Sequence, residues 1–411
     1  MVERISNCAA TVILHQIQIF ISKYGYLCCL DLYYTRGKNM KKKIAIWGAG
    51  AFGQYICEQL KKNQDVEIHY IIDKKEEMAG KRIAGIKVIS SKQVEEYKDN
   101  IDVILVSFMD SFVEYDYFSK YKGVKFGFVA NNVFVQKFVL DKDLDADENI
   151  IWINDCSKPL LRNLETNVVD YCNLNCKGCS HFSNLYQKGE MVSFENYCKD
   201  LKQIAEHVNV RKLNLLGGET LLNNRMTEYI EFARQHMPYT DIWVITNGLL
   251  LLKQNEVFFK CCKDNKIGID ISEYEPTSKI INEIIIVLER HGVKYNIRDN
   301  KGDFGKNIDL LGRANPNEAM KRCRENACHF FRNGKIYKCP FEVLGNKFFE
   351  HFGLDIRLVG GTNIYDKQLD WDKLVHQLEN EPVSACVYCG EEERYTWGVS
   401  NNPVMEEWIV N

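Results

Sequence analysis

The stretch YCNLNCKGCSHFSN, Tyr171 to Asn184, sets Cys172, Cys176 and Cys179 within one short, turn-prone segment. A closed structural zinc site or a fully ligated iron–sulfur cluster takes four protein donors, so three thiols leave one metal corner open. An open corner belongs to sites that do chemistry, as in catalytic zinc centres that keep a position for water or substrate. Asn173, Asn175, Lys177 and Gly178 between the thiols favour a polar loop able to wrap around a cluster. Two plainer readings stand beside this one: a zinc knuckle with a distant fourth ligand, or unrelated reduced thiols.

The rest of the chain must accommodate such a loop. Its 411 residues are enough for two or three domains, and 45% hydrophobic residues give ample core. The 53 Lys and Arg nearly balance the 56 Asp and Glu, so no basic excess points to nucleic acid. Sixteen cysteines without a convincing secretion signal point to a reducing compartment, the cytoplasm, where thiols bind metals and do not pair. The apolar stretch ATVILHQIQIFISKYGYLCCLDLYY is interrupted by His15, Gln16, Gln18 and Lys23 and lacks a small-residue cleavage site, which excludes a clean membrane span. The RGKN segment before Met40 permits purine-rich codons resembling a bacterial ribosome-binding site. Residues 1–39 are therefore expected to be translated upstream sequence; an amphipathic interfacial helix is the alternative.

From Met40 the pattern becomes regular. KKIAIWGAGAFGQYICEQLKK reads as a strand, a glycine turn and a helix from about Phe52, and the turn carries Gly48, Gly50 and Gly53 in a G-x-G-x-x-G arrangement. These glycines allow a tight turn, and the helix N-terminus that follows is able to receive a phosphate. A second strand, VEIHYIID, ends on Asp73, placed to meet a ribose hydroxyl. Residues 40–145 thus read as a Rossmann-like parallel-sheet domain that binds a nucleotide or, alternatively, serves as a docking platform. The acidic run Asp141–Glu148 is the expected linker.

Residues 160–300 alternate strand and helix, with polar motifs after successive strands: Gly217-Gly218-Glu219, Thr246-Asn247-Gly248, Ser272-Glu273-Tyr274, and Arg298. An α/β barrel builds its active site at such strand C-termini, so these loops are expected to converge on one mouth. Gly217 and Gly218 let the backbone approach a ligand, and Glu219 offers a carboxylate to an ammonium group. Residues 301–411 form a small Cys-rich domain in which Cys323, Cys328 and Cys339 precede the pair Cys386 and Cys389. A zinc ribbon uses the same thiols and stays open as an alternative.

Cys172, Cys176 and Cys179 resemble the cluster loop of the radical S-adenosylmethionine (SAM) superfamily. Within 301–411, Cys323-x10-Gly334-x4-Cys339 with Cys386-x2-Cys389 resembles the twitch version of its SPASM extension. The resemblance spans about residues 160–395. It implies a partial (β/α)6 barrel, a [4Fe–4S] cluster on the first three thiols, and SAM on its open iron. It further implies an auxiliary [4Fe–4S] cluster on Cys323, Cys339, Cys386 and Cys389, with Cys328 a spare thiol and candidate hydrogen donor. By the same resemblance Glu219 binds the SAM amine, Thr246 and Asn247 lie near SAM, and Ser272 meets its ribose. The family carries an aromatic residue just before the third cysteine where this chain has Gly178; Phe182 lies close enough to substitute. The N-terminal unit resembles the nucleotide-sugar-binding domain of bacterial sugar acyltransferases, and NAD-binding units as well. The implied activity is oxidation or epimerisation of a sugar, cyclitol or nucleotide-linked glycan precursor, served by a reductant such as flavodoxin or ferredoxin. Peptide maturation and a non-catalytic iron–sulfur protein are the alternatives.

Overall fold

The computed structural model of the chain describes residues 41–64, 66–107, 124–129, 150–153, 158–300, 304–324 and 326–410. The expected start at Met40, the segment before it and the Asp141–Glu148 linker lie outside these residues. No helix among the described residues is long and apolar enough to cross a membrane.

The first sheet is built from β1 (Lys42–Trp47), β2 (Val66–Asp73), β3 (Arg82–Ile83), β4 (Ile86–Ser90), β5 (Val103–Val106), β6 (Lys125–Val129) and β7 (Ile150–Ile153). They lie in the order β3-β4-β2-β1-β5-β6-β7, parallel from β4 to β6 and antiparallel at both edges. Side chains alternate across a strand, so Ile44 and Ile46 of β1 join one apolar cluster while Ala45 and Trp47 join another on the opposite face. The helix Ala51–Leu60 covers the first face through Phe52, Tyr55, Ile56 and Leu60. This is the Rossmann-like parallel sheet that the glycine turn predicts.

The second sheet begins with five parallel strands, β8 (Leu160–Val169), β9 (Asn209–Gly217), β10 (Asp241–Thr246), β11 (Gly268–Glu273) and β12 (Lys294–Asp299). Helices Phe194–His207, Met226–His236, Glu256–Asp264 and Ile281–His291 connect them. Their starts and stops have local causes: Ser193 and Asn255 cap two of them by accepting from backbone N–H groups, and Gly292 ends the last in a left-handed conformation. Outward residues such as Leu213, Leu215, Ile269 and Ile271 pack under these helices, whereas inward Glu165, Asn214, Asp270 and Ser272 face a cavity. After β13 (Phe304–Ile308) come β14 (His329–Arg332), β15 (Lys335–Tyr337), β16 (Thr362–Asn363) and β17 (Cys389–Tyr395). The sixth parallel strand, β14, pairs with β8 on the edge beside the first barrel strand. The C-terminal segment thereby extends the barrel sheet, and β13 and β17 form a separate antiparallel ribbon.

At the N-terminal end of the barrel strands, Lys294 donates to Asp241 at 2.7 Å and sits 4.4 Å from the centre of the Trp243 ring. A Cβ on Gly268 would approach that ring to 2.4 Å, so glycine is what lets β11 pass the indole. This latch ties β10 to β12 at the end of the barrel opposite the polar motifs.

Candidate functional site

Cys172, Cys176 and Cys179 follow β8 and line one end of a cavity of about 580 Å³. The loop closes on itself through three left-handed residues, Asn175, Gly178 and Phe182. Asp170 anchors its base with a two-pronged pair to Arg332 of β14 at 2.8 and 2.7 Å. Asn184 donates to the Cys176 carbonyl. Burial pushes the Cys172 thiol up to about 12, with Glu219 and Cys179 adding to it, and raises Cys176 as well, with Cys179 and Cys172 adding to that. Such thiols ionise only when a cation compensates them.

The departure at Gly178 has a structural cause. A Cβ there would lie 2.0 Å from the Tyr395 hydroxyl and 2.5 Å from the Glu407 carbonyl, so the C-terminal segment occupies the space of any side chain. Phe182 lines the cavity but is fully buried among Phe341, Phe348 and Trp408, a core position. Among the aromatic side chains that line the cavity, Tyr274, just after β11 and stacked on Trp397, lies near the three cysteines. Sequence reasoning marked Tyr274 only as part of a strand end; its position two residues after inward-facing Ser272 was the available signal.

Glu219 is engaged inside the fold. It is fully buried and does not line the cavity. Its carboxylate accepts from Leu221 N at 3.0 Å, Thr246 Oγ1 at 2.6 Å and Asn247 N at 2.8 Å, so it joins the segments after β9 and β10. Burial raises its pKa, opposed by those three hydrogen bonds. The Thr246 hydroxyl is thereby engaged, and it also accepts from Gly248 N. Gly217 and Gly218 line the cavity, yet the close approach they permit is to the cysteine loop itself: added Cβ atoms would fall 2.0 Å from the Val169 carbonyl oxygen and 2.1 Å from that of Tyr171. Asn247 faces the cavity with its Nδ2 donating to Asn173 Oδ1 at 2.8 Å and lying 3.8 Å from Cys172 Sγ. Ser272 lines the wall, and Arg298 does so while paired with Asp270 at 3.0 Å.

Cys323, Cys339, Cys386 and Cys389 line the same cavity. Cys389 is raised to about 12 by burial and by Cys386 and Cys323, and Cys339 is raised by burial, Glu342, Cys389 and Cys386. Asn333 and Gly334, both at positive φ, form the two-residue turn between β14 and β15, a conformation that favours Asn-Gly. Continuing the hairpin register puts Cys328 opposite Cys339 at its open end. Cys323, Cys339, Cys386 and Cys389 are the C-terminal cysteines that line the cavity. Among the described residues, no three His, Cys, Asp or Glu side chains are drawn close enough to grip one ion. Cys172, Cys176 and Cys179 in one loop and Cys323, Cys339, Cys386 and Cys389 in the C-terminal segment line one cavity, three and four thiols being the donor numbers of an open and a closed cubane cluster. Lys338, buried beside Cys339 and Cys386 with its Nζ donating to the Leu378 carbonyl, places a cation at the second set. The remaining described cysteines, Cys57, Cys198, Cys261 and Cys262, are unpaired, and all but the half-buried Cys198 are buried.

In the first sheet, Gly48 has φ +117° and Gly53 has no room for a Cβ, which would lie 1.7 Å from the Gly48 carbonyl oxygen. Gly48 thus serves the turn and Gly53 the close packing of helix on strand, while Gly50 opens on free space. Asp73 accepts from Ala49 N at 3.0 Å and from Lys75 N at 2.9 Å, so its first task is to close the turn, ahead of any ribose contact.

A parallel-sheet unit joined to a barrel with an open three-thiol loop and a four-thiol C-terminal set defines an iron–sulfur protein of α/β architecture. Comparison with known proteins makes this specific. Residues 164–270 match the 4Fe-4S single cluster domain, and residues 40–115 match the family described as C2185-like, N-terminal. The chain is 34% identical over 105 residues to GTP 3',8-cyclase of Staphylococcus haemolyticus (strain JCSC1435), covering 24% of this chain and 31% of that one. It is 32% identical over 93 residues to GTP 3',8-cyclase of Thermodesulfovibrio yellowstonii, covering 22% and 29%. The chain therefore spans less than a third of the length of these curated relatives. Among solved structures, BtrN in complex with AdoMet and 2-DOIA is 13% identical with a TM-score of 0.37, covering 57% of this chain and 94% of that one. The cluster-loop region is of the radical SAM kind.

Proposed function

We propose that the chain is a radical SAM enzyme acting on a small hydroxylated molecule, a sugar, cyclitol or nucleotide-linked glycan precursor. The observation that carries this reading is the single cavity whose wall holds three thiols with an open fourth corner, the Gly217–Gly218 backbone, and Asn247, Ser272 and Tyr274. When bound, the cluster and SAM together supply an adenosyl radical able to take a hydrogen atom from carbon. The protein's part is to seat them and the substrate. Asn247 and Asn173 fix the rim beside Cys172, Tyr274 offers an apolar face, and inward Glu165, Asn214 and Asp270 present polar groups deeper in the barrel. The lining also carries Lys306 and Arg324, paired with Glu393 and Glu392 at 3.2 and 3.5 Å, and Arg322, which donates to the Cys389 carbonyl; a phosphate-bearing substrate would exchange or share these partners. The Gly48–Gly53 turn of the first sheet is proposed to hold the nucleotide portion of a substrate or a separate nucleotide. A one-electron reductant of the flavodoxin or ferredoxin type completes the scheme.

The test is anaerobic reconstitution followed by reduction with dithionite in the presence of SAM. Release of 5′-deoxyadenosine by wild type, and none by the Cys172→Ala, Cys176→Ala, Cys179→Ala triple variant, is the expected result. A wild-type protein that takes up iron yet never cleaves SAM would refute the reading.

A further inference from the structure

The segment that follows β17 lies along the cysteine loop as an added strand. Cys176 forms an antiparallel bridge with Val399, Lys177 N donates to the Gly398 carbonyl, and Ser400 N donates to the Asn175 carbonyl. Tyr395 Oη donates to the Lys177 carbonyl at 2.8 Å, and Trp408 Nε1 donates to that of Cys179 at 2.8 Å. Within this strap one contact goes to a thiol: Trp397 Nε1 donates to Cys176 Sγ at 3.2 Å. The indole has little freedom to leave. Its ring stacks on Tyr274 with centroids 5.4 Å apart, and the backbone bridge at the next-but-one residue fixes its Cα.

We propose that Trp397 is a positioning residue for the cluster, its indole N–H setting the reduction potential of the cluster held by Cys172, Cys176 and Cys179. The proposal rests on the radical SAM reading above. Reduction adds electron density that is shared with the ligating sulfurs, so a fixed N–H donor to one of them favours the reduced state. Such second-shell donors tune a metal centre without touching substrate. The strap adds a mechanical element: the donor reaches Cys176 only when residues 395–400 are seated on the loop, so seating of the C-terminal segment and ease of reduction are linked.

The measurement is a redox titration of the reconstituted protein without SAM, followed by paramagnetic resonance of the reduced cluster. Trp397→Phe keeps an aromatic ring for Tyr274 and removes the donor. One hydrogen bond of ordinary net strength corresponds to a roughly fivefold lower ratio of reduced to oxidised cluster at a fixed potential. Replacement of Trp397 by 3-benzothienylalanine, which keeps the bicyclic shape and lacks the N–H, is expected to give the same fall and separates the donor from packing if the Phe variant loads poorly. An unshifted potential in either cluster-replete variant overturns the proposal alone. A wild-type protein in which the three cysteines bind no cluster overturns it together with the reading on which it rests.

Discussion

Three donors from two loops converge on the Glu219 carboxylate, and replacing it by an amide leaves one of them facing another donor. Glu219→Gln is expected to lower stability by about 1–2 kcal/mol, seen as a reduced urea midpoint at unchanged slope. A variant as stable as wild type would return the residue to a ligand role. The Gly-Gly-Glu triplet was legible as special but not in what way: sequence shows that a carboxylate follows two glycines, whereas only the third dimension shows that the donors come from β10. Asn173 and Tyr274 were noted only as loop and strand-end residues, and Trp397 not at all, because each acts through a partner far along the chain. At the C-terminal set, Cys323→Ala is expected to lose the auxiliary cluster and Cys328→Ala to keep it, judged by iron content and paramagnetic resonance. Cluster loss in Cys328→Ala would reverse the assignment, and the hairpin register that sets Cys328 opposite Cys339 is why the comparison is worth making.

At the scale of elements, the strands β1, β2, β5 and β9 to β12 and the helices between β8 and β12 follow the sequence pattern, because each is an apolar run or an amphipathic segment punctuated by a polar loop. The short strands β14 to β16 carry no comparable period, and the pairing of β14 with β8 is a contact between segments more than 160 residues apart, which no local pattern encodes. The Asp241–Lys294 latch belongs at this scale as well. Burial raises the Asp241 carboxyl, but the Lys294 charge and hydrogen bond outweigh it and hold the pKa below the usual range. Its contribution is therefore complete above the unfolded-state value of about 3.9 and is lost as pH falls through the depressed folded value. Wild-type stability should fall across that acid range with a slope that Asp241→Asn lacks. Lys294→Met takes the main partner from the buried carboxylate, leaving Trp243 and the charge of Lys212, and is expected to cost about 3 kcal/mol, with part recovered in the Asp241→Asn, Lys294→Met double variant. Equal loss in the single and double variants would show that the charge pair is not the cause.

For the molecule as a whole, seven thiols around one cavity lead to an expected content of about eight irons after reconstitution, since each [4Fe–4S] cluster brings four. Removing Cys172, Cys176 and Cys179 together should halve that number, and zinc found at the C-terminal set by elemental analysis would contradict the auxiliary cluster. In the first sheet, Gly50→Val should abolish nucleotide binding in calorimetry against nicotinamide and nucleotide-sugar panels, because the variant side chain would fill the open face of the turn. Binding unchanged by the variant would place any ligand elsewhere. The strap carries a consequence for how the protein is made. Trp397 stands 221 residues after the thiol to which it donates. At ordinary rates of synthesis, the three cysteines leave the ribosome roughly 10 to 40 s before the residues that seat them. For that interval they are a nascent, half-built nest open to oxidants and stray metals, so iron and sulfide delivery is best timed after residues 395–408 have folded back over the cysteine loop.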